Sequence, residues 1–355
     1  MIPKDTIDQV IHTLQIEDVL SDFIKITRKG SIYSALCPFH NEKTPSFVVY
    51  PATNTYKCFG CGQAGDAIQF VRKHKDLSFP ETIKYIASKY QIPVPERQRT
   101  DEEIERDQKA EQIKAIYELA ADFYVEQLND TNLPAAVDAR IYITSRLSDE
   151  AVTNWKIGFA SAEWGSFAKF ALQKGWPESL LIESKLVKRS DKTNSLFDFF
   201  RERIIFPITD KAGRITSFAG RVLPGENQQV KYLNLPENDH YHKKEILYGL
   251  SKASREIKSH GNVFLVEGYT DVIRMHELGF INTVAASGTA FTTEQLSLLS
   301  PLTKKITLLG DGDNAGLNAM LKSGKRIAEP RMHPYGVFLP KKKNPTDAFT
   351  ATEQA

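Results

Sequence analysis

The sequence predicts a multidomain protein in which a small cysteine-containing domain precedes a mixed α+β region and a C-terminal α/β region with a parallel sheet. The chain has 355 residues, a length that usually corresponds to two or three domains. All three cysteines fall between positions 37 and 61. From Val263 onward, short apolar runs alternate with segments of helical periodicity, which is typical of parallel strands with helices on both faces.

The composition excludes several classes of protein. Apolar residues make up 41% and charged residues 25% of the chain, as in globular proteins and unlike disordered ones. No apolar run reaches the roughly 18 residues of a membrane span, and the N-terminus lacks the apolar core of a signal peptide. We therefore expect a cytoplasmic protein with no membrane contact. An odd number of cysteines also argues against a disulfide framework.

The charge is unevenly distributed along the chain. The net charge is +2, but residues 1–99 carry +3, residues 100–130 carry −7 and residues 131–355 carry +6. Two mildly basic regions therefore flank an acidic segment, a pattern that permits nucleic acid as a partner.

Composition shifts also indicate domain boundaries. Prolines followed by a charge run over residues 93–103 predict a linker. We expect a ribbon domain, an acidic linker with a helix, a basic α+β subdomain and a C-terminal α/β subdomain, at 1–97, 98–130, 131–255 and 256–355, respectively. Apolar residues at three- and four-residue intervals predict the helix between Glu103 and Leu128 and its buried face: Ile113, Ile116, Tyr117, Ala120, Phe123 and Tyr124.

Apolar runs predict the strands. In the basic subdomain the runs at 204–208 and 214–218 are separated by a turn at 210–213. In the C-terminal subdomain we expect parallel strands at 263–266, 283–286, 306–309 and 337–339, and a helix over 314–328.

Two pairs of potential metal ligands share the ribbon domain. Cys37 and His40 form one pair, Cys58 and Cys61 form the other, and each pair is separated by two residues. Two-residue gaps let a tight turn direct both donors at one ion, and three thiolates with one imidazole suit Zn²⁺. Strand-like segments at 46–50 and 55–57 indicate a zinc ribbon. Four protein ligands leave no open position, so this zinc is expected to be structural.

Aromatic residues and lysines alternate around the ribbon and allow two interpretations. Aromatic faces can stack on unpaired bases while lysines neutralise phosphates, or the rings can form the small hydrophobic core. The residues concerned are Tyr33, Phe47, Tyr56 and Phe59, with Lys43 and Lys57.

Three acidic residues follow two predicted parallel strands. Glu267 comes after the run at 263–266, and Asp311 and Asp313 come after the run at 306–309. The carboxyl ends of parallel strands line one crevice, so the three carboxylates are expected to converge there and to bind Mg²⁺ for phosphoryl transfer. Alternatively, Asp311 or Asp313 caps the following helix and Glu267 is a solvated loop residue.

The motifs resemble those of one family. Residues 37–47 and 57–62 resemble the CHC2-type zinc-binding domain of bacterial DnaG-type DNA primases. Residues 267–272 and 311–316 are similar to the two acidic motifs of the Toprim fold, a Rossmann-like parallel sheet. Residues 201–208, 219–222 and 231–234 resemble the basic subdomain of the primase core. The resemblance covers nearly the whole chain in the family's order.

This resemblance implies template-directed synthesis of short RNA primers on single-stranded DNA for replication. The implied partners are the template, ribonucleoside triphosphates and the RNA–DNA primer duplex, and the implied catalytic metal is Mg²⁺ or Mn²⁺. The resemblance also implies that Glu267, Asp311 and Asp313 bind this metal and that Asp271 and Asp347 are supporting acidic residues. The residues implied to hold template or nucleotide phosphates are Arg146, Arg221, Lys231, Tyr232 and Asn234.

The sequence departs from the family at its end. Lys341, Lys342 and Lys343 stand where the family has an acidic run, and only Asp347 remains, in a shifted register. Because the chain ends eight residues after Asp347, we expect no domain for the replicative helicase that the family binds. One alternative function is a non-catalytic, primase-derived protein that binds single-stranded DNA. Another is a fragment of a Toprim nuclease or topoisomerase, although a topoisomerase needs a strand-passage domain with a tyrosine nucleophile.

Overall fold

A computed structural model describes residues 2–75, 77–94, 100–224, 230–238, 241–286, 291–310, 314–328 and 332–338. The chain divides into two compact units, residues 1–103 and 104–355. None of the helices in the described ranges combines the length and the apolar character that crossing a bilayer requires.

The first unit is an antiparallel sheet with four helices. Its helices are α1 (Lys4–Thr13), α2 (Ile16–Ser21), α3 (Ala67–His74) and α4 (Phe79–Lys89), and a 3₁₀ turn covers Pro51–Thr53. Its strands pair in chain order and are β1 (Thr27–Lys29), β2 (Ile32–Ala35), β3 (Phe47–Tyr50), β4 (Thr55–Cys58) and β5 (Ala64–Asp66). The two ribbon strands predicted from sequence are thus confirmed as β3 and β4.

Aromatic packing forms the core of this unit. Phe47 and Tyr56, on neighbouring strands, are 0% and 2% exposed and stack with ring centroids 4.9 Å apart. Phe70 from α3 meets both rings at a steep angle. The core interpretation is therefore correct for Phe47 and Tyr56, whereas Phe59 is 62% exposed.

The second unit contains the remaining elements. Its helices are α5 (Asp101–Leu128, which begins in the first unit), α6 (Pro134–Thr144), α7 (Asp149–Asn154), α8 (Ser166–Gln173), α9 (Glu178–Glu183), α10 (Leu250–His260), α11 (Tyr269–Glu277), α12 (Thr293–Leu299) and α13 (Asn314–Ala328). Its strands are β6 (Gly158–Ala160), β7 (Val187–Arg189), β8 (Leu196–Asp198), β9 (Arg203–Thr209), β10 (Ile215–Val222), β11 (Tyr232–Asn234), β12 (Leu247–Tyr248), β13 (Asn262–Val266), β14 (Thr283–Ala286), β15 (Lys305–Gly310) and β16 (His333–Phe338). A 3₁₀ turn covers Lys243–Glu245.

An antiparallel sheet of order β11–β10–β9–β6 forms the α+β part of this unit. Helix α5 packs against one of its faces, and all six apolar residues predicted for that helix are buried. Strands β9 and β10 contain the two predicted runs and are joined at the predicted turn. The buried face predicted for α5 is confirmed because its apolar stripe packs against the sheet, in a core shared with α8 and α9.

The α/β part is a five-stranded sheet of order β12–β14–β13–β15–β16. Strands β13 to β16 are mutually parallel, as predicted, although β16 begins at His333, ahead of the predicted run at 337–339. Strand β12 pairs antiparallel at the edge. Successive residues of β13 alternate between two hydrophobic cores: Leu265 packs with α10, α12 and α13, and Val266 packs with α11. The sheet is thus covered on both faces, and the fold class predicted from the sequence is confirmed.

The two sheets of the second unit share one core. Ile204 and Phe206 from β9 belong to the same buried cluster as Val266 from β13 and Tyr269 from α11. This shared core brings β10 and β11 close to the carboxyl end of β13, which is where the candidate site lies.

Candidate metal centre and nucleic-acid site

The four predicted ligands of the ribbon come together. One ligand atom from each of Cys37, His40, Cys58 and Cys61 lies within 4.8 Å of all the others. The Sγ atoms of Cys37 and Cys61 are 3.8 Å apart, and Cys58 Sγ is 3.8 Å from His40 Nδ1. A tetrahedron with Zn–S bonds of about 2.3 Å has edges of about 3.8 Å. The donor set and its spacing therefore fit a zinc ion.

The local backbone explains how the ligands reach this arrangement. Cys58 ends β4, and the chain then turns through Phe59, Gly60 and Cys61. A Cβ on Gly60 would lie 2.6 Å from His40 Nε2 and 2.8 Å from Ser46 Oγ, so only glycine fits between them.

Glu42 supports the cluster, although no role was predicted for it from the sequence. Its Oε1 accepts hydrogen bonds from the backbone N–H groups of Cys37, at 2.7 Å, and Ser46, at 3.1 Å. Its Oε2 lies 3.2 Å from His40 Nε2. A carboxylate at Nε2 fixes the tautomer that leaves Nδ1 free to bind a metal, as in many zinc sites. Only its position two residues after His40 signals this role in the sequence.

Ser46 and the backbone tune the thiols. Burial opposes ionisation of Cys58, but a hydrogen bond shared with Ser46 Oγ, at 3.3 Å, and hydrogen bonds from backbone N–H groups outweigh it and lower its pKa to about 7. Burial raises the pKa of Cys37 to about 12. Because zinc binds cysteine as thiolate, binding of the ion at this cluster releases protons from the thiols.

The second unit contains the candidate acidic site. Glu267 is exposed and follows the last residue of β13, Val266. In the parallel register, Leu265 pairs with Leu308, so Glu267 lies level with Gly310, the last residue of β15. The backbone N–H of Gly268 donates to Asp271 Oδ2 at 3.1 Å, which makes buried Asp271 part of the cap of α11. Its carboxylate thus holds the turn that follows Glu267.

Several predicted residues lie outside the described part of the chain. These are Asp311, Asp313 and Asp347, together with the lysines at 341–343.

Two of the predicted basic residues share one aromatic ring. The guanidinium groups of Arg146 and Arg221 lie 5.1 Å and 5.2 Å from the ring centroid of Tyr142. Arg221 is buried and donates through Nη1 to the Tyr232 hydroxyl at 3.2 Å. Burial raises the pKa of Tyr232, and the charge of Arg221 partly offsets this. Tyr142, four residues before Arg146, was not predicted from the sequence as part of the site.

Asn234 and Lys231 flank Tyr232. Asn234 Oδ1 accepts a hydrogen bond from the Tyr269 hydroxyl at 2.9 Å, which ties β11 to the first turn of α11. Lys231 is exposed, and its backbone carbonyl accepts from Val222 N–H at 3.1 Å. The structure therefore brings Arg146, Arg221, Tyr232 and Asn234 into one contact network that reaches the residues after Glu267.

The second unit also contains an exposed tryptophan that pairs with an arginine. The Arg201 guanidinium lies 3.6 Å from the ring centroid of Trp164, which is 65% exposed. Arg201 Nε also donates to the carbonyl of Ala162 at 3.1 Å, which fixes the guanidinium over the ring. An exposed, held indole with a cation is a suitable platform for an unpaired base.

Family models match three successive parts of the chain. They describe a CHC2 zinc finger at residues 2–102, the N-terminal domain of the DNA primase catalytic core at 123–254 and a Toprim-like domain at 264–349.

Individual proteins give the same result. A DNA primase of Listeria monocytogenes is 34% identical over 99% of this chain and 56% of its own length. The zinc-binding and RNA polymerase domains of Aquifex aeolicus primase match with 34% identity and a TM-score of 0.62, over 96% of this chain and 81% of that one.

A third match is the RNA polymerase domain of Mycobacterium tuberculosis primase DnaG, in complex with a double-stranded DNA oligomer with a 6-nucleotide overhang. It is 30% identical, with a TM-score of 0.60, over 67% of this chain and 75% of that one. The chain spans about half the length of its curated relatives, 54–59% in the matches compared. With its zinc ribbon, basic core subdomain and Toprim sheet in series, the chain belongs to the DnaG-type DNA primase family.

Proposed function

We propose that this protein is a DNA primase, which synthesises short RNA primers on single-stranded DNA from ribonucleoside triphosphates. One observation carries the proposal. The network of Arg221, Tyr232 and Asn234 is attached through Tyr269 to the strand end that bears Glu267. An acidic strand end linked to a buried arginine suits a reaction in which a metal ion and a guanidinium both bind the same triphosphate.

The acidic residues are proposed as the metal site of the reaction. Glu267 follows β13, and Asp311 and Asp313 follow Gly310 in the sequence after the neighbouring strand β15. We propose that these three carboxylates hold Mg²⁺ or Mn²⁺, with Asp271 and Asp347 in support. A bound divalent cation supplies charge neutralisation for the phosphates and favours the attacking hydroxyl's ionised form.

The basic residues are proposed to bind phosphates. Arg146 and Arg221, held on the Tyr142 ring, keep their charge in a fixed place, so little side-chain freedom is lost on binding. Tyr232 and Asn234 offer hydrogen bonds to the nucleotide, and exposed Lys231 contacts template or nucleotide phosphate. The exposed Trp164–Arg201 pair suits an unpaired template base.

The ribbon is proposed as a structural zinc module that contacts the template. Cys37, His40, Cys58 and Cys61 complete a four-ligand set, so the zinc has no position left for substrate. Exposed Phe59 has the Lys57 ammonium 5.2 Å from its ring centroid, a combination suited to single-stranded nucleic acid.

The test is a primer-synthesis assay on single-stranded template with ribonucleotides and Mg²⁺ or Mn²⁺. We expect short RNA products that depend on both template and metal. If the protein binds single-stranded DNA tightly but makes no primer with either metal, a non-catalytic accessory role becomes the better interpretation. The products are RNA–DNA duplexes and are detected by their sensitivity to ribonuclease H.

A further inference from the structure

A cleft of about 360 Å³ lies in the second unit, away from the residues assigned above. It is formed by Glu118 of α5, the end of α7, the β9–β10 hairpin and the first turn of α10. Its polar and aromatic lining includes Trp155, Lys156, Thr209, Lys211, Ser251 and Lys252. The volume is within the usual range for small-molecule sites.

Trp155 is held in a fixed orientation at this cleft. Its ring stacks on buried Tyr248, with centroids 5.3 Å apart and planes 23° apart. The His276 ring meets it edge-on at 5.1 Å, and the Lys252 ammonium lies 5.2 Å from its centroid. The indole is only half-buried, so a rigid aromatic surface borders the cleft.

The charge of the cleft is positive. Lys156 pairs with both Glu118 and Asp122, whose carboxylates lie 3.2 Å and 3.1 Å from its Nζ, so one carboxylate is in excess there. Within the described ranges, no carboxylate forms an ion pair with Lys211 or Lys252. The hydroxyls of Thr209 and Ser251 lie 3.1 Å apart at the same cleft and can donate to an anion. Lys211 and Lys252 thus add two ammonium groups to the cleft, against the one carboxylate in excess at Lys156, and the net charge is positive.

We propose that this cleft binds a nucleoside phosphate, with the base against Trp155 and the phosphates at Lys211 and Lys252. The aromatic surface suits the base of such a ligand, and the two ammonium groups suit its phosphates. The lining residues take no part in the proposed primer synthesis, so the two proposals stand or fall separately. The cleft is therefore a second nucleotide site.

Trp155 fluorescence provides the test. The chain has three tryptophans, and the variant Trp164→Phe/Trp176→Phe leaves Trp155 as the reporter. ATP is titrated without added divalent cation, so that binding at the proposed metal site is minimised. We expect saturable quenching, and an affinity about tenfold lower when Lys211→Ala and Lys252→Ala are added, since two charge-assisted contacts are lost.

Lys174→Ala is the matched control, because Lys174 lies over the Phe170 ring outside the cleft. It should leave ATP affinity unchanged, and adenosine and inorganic triphosphate should each bind more weakly than ATP. Absence of saturable quenching, an equal loss with Lys174→Ala, or triphosphate binding as tight as ATP overturns the proposal. If the double lysine variant lowers the thermal midpoint, Lys252→Gln alone must still weaken ATP binding.

Discussion

The hydroxyl of Tyr269 donates a hydrogen bond to Asn234 Oδ1 at 2.9 Å, and this bond joins β11 of the antiparallel sheet to α11, the helix that follows β13. Tyr269 follows Glu267 by two residues, while Asn234 ends β11. The Tyr269 ring also stacks on Phe206, with centroids 5.7 Å apart, and meets Tyr248 at 4.7 Å. The ring contacts fix the position of Tyr269, and the hydroxyl fixes the orientation of Asn234.

Tyr269→Phe should therefore reduce primer synthesis without disturbing the core. The variant keeps the ring contacts and loses the hydrogen bond to Asn234, worth about 1 kcal/mol of unfolding free energy. We expect a several-fold fall in primer yield, measured beside urea unfolding. Tyr124→Phe is the matched control, since no hydrogen-bond partner for its buried hydroxyl occurs in the part of the chain that is described. Equal primer yields from the two variants would show that primer synthesis does not depend on the orientation of Asn234.

Gly60→Ala should empty the ribbon of zinc. The added Cβ would lie 2.6 Å from His40 Nε2, and neither the His40 ring nor Ser46 can move away without leaving the cluster. We expect zinc content to fall from about one equivalent per chain to less than half, measured by metal analysis of reduced protein. Phe59→Ala, next to it and exposed, should keep its zinc. Full zinc content in the Gly60→Ala protein contradicts the assigned geometry.

Glu42→Gln should weaken zinc binding while leaving the ligands in place. The substitution removes the charge 3.2 Å from His40 Nε2 and replaces one acceptor with a donor. Loss of such an outer carboxylate typically lowers metal affinity by about 10–100-fold. Competition with a chelator measures this change. Glu81→Gln, which perturbs only the cap of α4, should cost some stability and leave zinc affinity unchanged.

The β9–β10 turn gives a pH-dependent prediction. Burial opposes ionisation of Asp210, but hydrogen bonds from Arg214 and from backbone N–H groups outweigh it and lower its pKa. A lowered carboxyl pKa contributes stability above the unfolded-state pKa of about 4, and this stability is lost as the pH falls through the folded-state pKa. Asp210→Asn should therefore cost about 1 kcal/mol at neutral pH and progressively less towards about pH 3.

Urea unfolding of both proteins across the pH range measures this difference. A gap between wild type and Asp210→Asn that stays constant from neutral to acidic pH would mean that the carboxylate charge does not stabilise the turn.

Local patterns predicted the elements whose burial is periodic. The stripe on α5 and the first three parallel strands were predicted because each has one continuous partner surface. Only the end of β16 was predicted, since its earlier residues His333, Pro334 and Tyr335 do not form an apolar run. The zinc ligands were predicted because two-residue spacing is itself the geometry of a tight turn. The antiparallel edge strand β12 was missed, since its two residues give no periodic signal.

Contacts between distant segments were also missed. Arg146 and Arg221 lie on separate elements, and nothing in either segment shows that both use the Tyr142 ring. Glu42 was overlooked for a similar reason, because its carboxylate acts through His40 rather than on a metal. Tertiary packing, which the sequence pattern does not encode locally, decides such contacts.

The acidic residues are proposed to carry out metal-dependent primer synthesis, and the basic residues are proposed to bind the phosphates of template or nucleotide. The decisive measurement pairs primer yield with affinity for single-stranded DNA in Asp311→Asn and Glu267→Gln, with Glu256→Gln on α10 as the control. Both site variants should lose primer synthesis and keep or slightly raise DNA affinity, because a repulsive charge is removed. Lys231→Ala should instead weaken binding, and if it contacts the template it should reduce the salt dependence by about 0.7 in slope. Near wild-type primer synthesis by Asp311→Asn would contradict the account and make the acidic residues structural.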